Sequence, residues 1–272
     1  MNHRQEPGKL ISVAAVILFT VLLLAASLGA ATDPKAILDE ASKKNAELTD
    51  TDTFMHMDIV MGIPDSEAVS EMAVQMDMDM KLTGMNTPQM VYLADTTMTM
   101  ELAGMNQSMN TRTFYTDGYC YMDMLEQKFK YAMDLDSMVA SLQNNTALTE
   151  LSSDFMKDLS ARKDGGNTII TFTGDPEKMN IYIQEVFAFM GQQMPTEGMD
   201  MNISEFGGSY TVNKDGYYIA EDITMIFSMA LTEDPSSVIS VNAIIHADFN
   251  NPGQPVEIVL PDTGEYMEIA MP

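Results

Sequence analysis

The sequence predicts an α+β protein, one long curved antiparallel sheet with helices gathered on one side of it. Three observations carry that expectation. Two-residue alternation fills two long stretches, residues 54–135 and 198–249; helical spacing is confined to a segment near residue 34 and to the middle of the chain; and turn signals separate the alternating runs. The resulting order is helix, meander, helices, meander, with no linker composition or charge block to divide it.

The first nine residues carry Arg4 and Lys9, and Leu10 to Ala31 then runs apolar and uncharged to a small-residue end, Ser27-Leu28-Gly29-Ala30-Ala31. That is the pattern of a secretory signal. Gly29 and Ala31 suit the −3 and −1 positions of a peptidase site, which predicts cleavage before Thr32, with cleavage after Gly29 or Ala30 as alternatives. At about 22 residues the run also approaches the roughly 20 that span a bilayer, so an uncleaved N-terminal anchor is the other reading. Residues 32–272 are then expected to form one domain outside the cytoplasmic membrane, extracellular or in the cell envelope.

Asp33-Pro34 opens a helix, with Asp as cap and Pro pre-set for the first turn, and Ile37, Leu38, Ala41 and Leu48 give it one apolar stripe to lay on the sheet. From Phe54 the period becomes two, with Met55, Met57, Ile59, Met61 and Ile63 sharing a face. Met72, Val74, Met76, Met78, Met80 and Leu82 then fall on even numbers, with Glu71, Gln75, Asp77, Asp79 and Lys81 between them. After the turn Gly84 to Pro88, the inward set resumes with Met90, Tyr92, Ala94, Met98, Met100 and Leu102. Asp117-Gly118 predicts a two-residue hairpin between strands at Met109–Thr116 and Tyr119–Met124, because both central residues need positive φ. A further strand covers Lys128 to Leu135.

Three helices are expected in the middle: one through Leu135, Met138, Val139 and Leu142; one through Leu151, Phe155 and Leu159; and one opened by Asp175-Pro176, with Met179, Tyr182, Ile183, Val186 and Met190 inward. Strands return after Gly198. Lys214-Asp215-Gly216 marks a second hairpin, followed by Ile219, Ile223, Met225, Phe227 and Met229, and then by Ile239, Val241, Ala243, Ile245 and Ala247 in phase. Pro255 to Leu260 reads as a short terminal element.

Acidic residues outnumber basic ones 40 to 14, a net charge of −26; the first 31 residues carry +1 through Arg4, Lys9 and Glu6, so the remainder stands at −27. Phosphate binding requires a basic footprint, and nucleic acid is excluded as a partner. The acidity reads as a solubilising surface. One cysteine, Cys120, cannot close an intrachain disulfide, so stability has to come from the core. Zinc-protease, nucleophile-elbow and Walker signatures are absent, the histidines His3, His56 and His246 lie far apart in sequence, and no cofactor is implied. Asp77 and Asp79 share the wet face of a strand and read as solvating groups. An enzyme is not expected.

The 28 methionines admit three readings. Thioethers select Cu(I), and Met76, Met78 and Met80 have the Met-x-Met spacing of copper proteins. Yet the methionines share their face with Val74, Tyr92 and Leu102, and His56 falls on the other, which favours a structural role. In that role they either fill a core or line a cavity, since unbranched, polarizable side chains repack around ligands of irregular shape. The cavity reading names Met57, Ile59, Met76, Met78, Met80, Met90, Tyr92, Met98, Met100, Ile223, Met225, Phe227, Ile239 and Val241 as its lining. The filled-core reading makes the chain an extracellular structural or interaction domain acting through its acidic surface.

Tyr115-Thr116-Asp117-Gly118-Tyr119 with Tyr121-Met122, the stretch Lys128-Phe129-Lys130-Tyr131, and the tail from Phe249 through Asn250-Asn251-Pro252-Gly253-Gln254-Pro255 to Ile258 resemble the LolA/LppX-like superfamily of bacterial envelope lipid and lipoprotein carriers. The resemblance implies a half-open β-barrel whose concave side, closed by helices, holds an acyl lipid or other hydrophobic small molecule, with a membrane surface or envelope component as a further partner. Many members carry a lipobox cysteine after the signal. This chain has Ala and Thr there.

Overall fold

The computed structural model describes residues 33–64, 69–102, 104–125, 127–140, 142, 152–182, 199–231 and 234–270. Helix α1 spans Pro34–Ala46. The Asp33 carboxylate accepts the Lys35 backbone N–H at 3.1 Å, Pro34 occupies the first turn, and Lys43 and Lys44 in the last turn complement the helix dipole. Its apolar stripe buries Leu38 and Ala41 to 2% and 1% exposure.

The first meander comprises β1 (Thr51–Pro64), β2 (Val69–Thr83), β3 (Val91–Leu102), β4 (Met105–Thr116), β5 (Tyr119–Met124) and β6 (Gln127–Ala132). Asp117 and Gly118 both take positive φ, 51° and 77°, as a two-residue hairpin matched to strand twist requires. The second comprises β7 (Met156–Asp164), β8 (Asn167–Gly174), β9 (Met199–Val212), β10 (Tyr218–Leu231) and β11 (Asp234–Phe249). Asn213 fastens the β9–β10 turn, its side-chain oxygen accepting the N–H groups of Asp215 and Tyr217.

All the strands among the described residues belong to one sheet, in the order β12-β6-β5-β4-β3-β2-β1-β11-β10-β9-β8-β7, where β12 is Met267–Glu268. The two meanders meet at the antiparallel pair β1–β11. The end strands β12 and β7 do not pair with each other, so the sheet is open rather than a closed barrel. A twisted sheet of twelve strands coils instead of lying flat.

Two expectations are corrected. The second central helix does not exist as such: Ser153–Phe155 is a single 3-10 turn and Leu159 lies in β7. Asp164-Gly165-Gly166-Asn167 is a hairpin turn, and the β-branched run Thr168-Ile169-Ile170-Thr171 drives β8. Alternation is masked in β7 because it is an edge strand bulged at Lys157/Ser160 and carrying Lys157, Asp158, Arg162, Lys163 and Asp164 toward solvent, charges that deter further strand pairing. The terminal element also differs. Residues 255–260 form no ladder, and the tail instead ends in β12, which pairs in parallel with β6 through Met267–Phe129 and Glu268–Lys130.

Of the other central helices, residues 135–140 and 176–182 are helical. Leu151, Ile183, Val186 and Met190 lie outside the described residues, as do residues 1–32. Asp175 opens the second of these turns and pairs with Lys157 at 3.1 Å.

Three buried clusters of the described residues hold the sheet. Leu38 and Ala41 of α1, with Met179, close over Ile170, Phe172, Ile203, Phe206, Tyr210 and Ile223 of β8–β10. Met138 closes over Leu82, Met90 and Tyr115 at one end of β2–β4. The third lies on the opposite face, where Tyr266 packs edge-on against the stacked rings of Phe114 and Tyr121.

Candidate ligand-binding face

Register, more than composition, builds the site. Met57 stands opposite Met76 and Met76 opposite Met98; across the other edge of β1, Met57 faces Ile245, and Ile245 faces Ile223. The next row runs Met100, Val74, Ile59, Ala243, Met225 and Phe206. A third joins Leu102, Met72, Met61, Val241, Phe227 and Ile203, and Ile239 extends the same face opposite Met229. Met78 and Met80 continue it toward Leu82, opposite Met55 and Thr53. Because side chains alternate along each strand, all of these project from one side.

Both helical covers lie on this side. The α1 cluster closes it over β8–β10, and the Met138 cluster closes the Leu82–Tyr92–Tyr115 end. Between them Met57, Ile59, Met76, Met78, Met80, Met98 and Met100 are half-buried and belong to no buried cluster of the described residues. The remaining predicted residues divide. Ile223 and Val241 are buried, and Met225, Phe227, Ile239 and Tyr92 are half-buried, Met225 and Phe227 packing against the α1 cluster and Tyr92 against the Met138 cluster. Met90, 2% exposed, is a core residue beneath Met138. Burial pushes the Tyr92 hydroxyl up to about 12, so that ring stays neutral. Thr96, Thr111 and Glu221 interrupt the apolar rows, with Glu221 opposite Ala247 and Tyr210.

A cleft of ≈ 380 Å³ opens elsewhere, beside α1, lined by Leu38, Asp39, Ser42, Lys43, Ser152, Ser153, Met156 and Tyr218. At its edge the Lys35 amine donates to Ser153 Oγ and to Asp154 at 3.1 Å. This is not a Ser–Lys catalytic pair. A lysine general base must be neutral, whereas Asp154 and Asp39 beside Lys35 raise its affinity for the proton, and Ser153 gives its own proton to Asp39. Cys120 is equally unsuited to nucleophilic chemistry, because burial raises its thiol above the ordinary range.

The opposite face holds what local sequence reading missed. His56 and His246, far apart in sequence, are direct partners across β1–β11. His56 contacts Asp77 through Nδ1 at 2.6 Å and Asp58 through Nε2 at 3.0 Å. His246 contacts Asp222 through Nδ1 at 2.7 Å and Asp248 through Nε2 at 3.2 Å. Asp77 therefore does more than solvate its strand. The signal was present as two His-x-Asp triplets, His56-Met57-Asp58 and His246-Ala247-Asp248. Each ring lies between its carboxylates rather than sharing a point with them, and among the described residues no His, Cys, Asp or Glu group converges as a metal ion would need. Thioethers and imidazoles stand on opposite sides of the sheet.

Comparisons with known proteins give a family and a set of distant folds. No curated protein matches the chain. Among solved structures it is similar to lipoprotein LppX from Mycobacterium tuberculosis, at 15% identity and a TM-score of 0.40 over 84% of this chain and 100% of that one. It is similar also to LprF from Mycobacterium bovis, at 11% identity and a TM-score of 0.39 over 84% and 97% of the two chains. A third is a β-barrel-like protein of a domain of unknown function from Brucella abortus, at 10% identity and a TM-score of 0.24, covering 75% and 100%. Residues 33–263 match one family model, and the chain belongs to that family, DUF6612, a family of unknown function.

Proposed function

We propose that the chain is a non-enzymatic protein exported across the cytoplasmic membrane, and that it holds a lipid or other hydrophobic small molecule against the methionine-lined face of its sheet. One observation carries the reading. Met57, Met76, Met78, Met98 and Met100 form a continuous apolar field that stays half-buried between two closed clusters. A contiguous apolar field that the described residues do not pack shut suits contact with something else, and methionine suits it by repacking around acyl chains of different shape. Among its polar groups, Thr96, Gln107, Thr111 and Thr113 are uncharged and scattered between the apolar rows, as the orienting groups of an apolar site are. The apolar run 10–31 supports export, and the motif resemblance to envelope lipid carriers agrees in kind.

Titration with an environment-sensitive fluorescent fatty acid tests the reading. Saturable binding that falls on replacing Met76 by Glu supports it. Absence of saturable binding, with the protein folded by circular dichroism, favours a packed interaction domain instead.

A further inference from the structure

The strand pair β1–β11 is the seam where the two meanders join, and its outer face carries a pseudo-twofold arrangement. Two antiparallel strands each present His-x-Asp, the histidines are register partners, and each flanking strand supplies one more aspartate, Asp77 from β2 and Asp222 from β10. The row Asp77–His56–His246–Asp222 thus crosses four strands, with Asp58 and Asp248 completing each clamp along its own strand.

A neutral imidazole has one N–H and one lone pair, so it donates to one carboxylate and turns its lone pair on the other. Only the imidazolium satisfies both contacts. Two imidazolium ions directly opposite each other, with Cβ atoms about 5 Å apart, would repel without those four carboxylates. With both rings charged the six groups sum to −2; with both neutral they leave −4 along one seam. Neighbouring groups do not offset that. Asp79 follows on β2 and faces Asp95, which Arg112 holds; Lys81 pairs with Asp52 at 3.6 Å; Gln75 donates to Asp58; and Ser209 of β9 donates to Asp222.

We infer that the two His-x-Asp clamps form a proton-operated staple on each side of the β1–β11 seam: each ring ties its own strand to the outer neighbour, β1 to β2 through Asp77 and β11 to β10 through Asp222. Protonation of both rings cuts the charge that the two halves set against each other from −2 and −2 to −1 and −1, whereas deprotonation restores that repulsion and loosens the seam. The flanking carboxylates raise both histidines above the ordinary imidazole range, with Asp77 the leading cause for His56 and Asp222 for His246. The staple is fully set below the unfolded imidazole value and is lost as pH rises through the folded one. With side chains 35% and 38% exposed, the rings are partly screened, so high salt weakens the effect. This holds whether or not the inner face binds a ligand.

The test is residue-resolved hydrogen exchange on the whole folded chain, corrected for intrinsic exchange chemistry, from about pH 5.5 to about pH 8.5, together with NMR titration of the two rings. Opening of β1 and β11 is expected to rise severalfold with pH, while β8–β9, away from the staple, stays flat. H56Q/H246Q should remove the difference between the two regions. D77N/D222N keeps both rings and should lower both titration midpoints, which covers the case in which the first variant does not fold. Rings that titrate at the ordinary histidine value, or seam opening that follows pH no more steeply than β8–β9, would overturn the staple.

Discussion

Met57 of β1 stands directly opposite Met76 of β2, and Met76 opposite Met98 of β3, so three strands contribute one row of thioethers to the same face. None of the three is fully buried. A carboxylate introduced there meets an apolar field on both sides. Met76→Glu is therefore expected to weaken an acyl ligand by roughly tenfold or more, an energy of about 1.4 kcal/mol, while strand content is kept. Fluorescent fatty-acid titration with a parallel circular dichroism spectrum checks both parts.

Truncation separates the open field from the closed core. Ile170 is 0% exposed beneath α1, and Ile170→Ala should cost about 2–5 kcal/mol of unfolding free energy. Met76→Ala, at a half-buried position outside the buried clusters of the described residues, should cost well under that. Urea unfolding of the two variants compares them. Equal losses would mean that the methionine field is packed as tightly as the core.

Gly174 lets an aromatic ring in. A Cβ added there would fall on the Phe206 ring, itself 6% exposed in the α1 cluster. Gly174→Ala must displace that ring, and a loss of about 1–3 kcal/mol is expected in the same assay. Gly165→Ala, where nothing lies within 4 Å, loses no contact and carries only the strain of its positive φ, 59°.

Much of the fold could be read from the chain because alternation survives where one face is apolar. The even-numbered series from Met72 to Leu82 fixed the face of β2, and Asp117-Gly118 fixed the β4–β5 turn. The pattern failed at β7, whose outward charges and bulge hide its period around Leu159. It failed again for Phe114 and Tyr121, which face away from the methionines and pack with Tyr266 and Leu260 from the distant tail. The pairing of His56 with His246 is a property of register between remote strands, so no local window contains it.

Acid weakens a different set of contacts from those at the seam. The Thr83 hydroxyl first, then Thr49 and the Gly84 N–H, hold the Asp50 carboxyl below its usual range, and the Ser137 N–H does the same for Asp134. A depressed carboxylate stabilises the fold above its unfolded value, and that contribution is lost as pH falls through the folded one. Unfolding free energy should therefore drop below roughly pH 4, and Asp50→Asn should flatten part of the drop. A variant with an unchanged acid limb would remove Asp50 from this account.

The central claim concerns what occupies the face between the two covers. Native mass spectrometry of the protein purified from its own host, followed by solvent extraction, tests it most directly. The account predicts a stoichiometric acyl lipid or similar apolar molecule, released on extraction and lost in Met76→Glu. A protein that flies bare from its host and takes up no added fatty acid would contradict it.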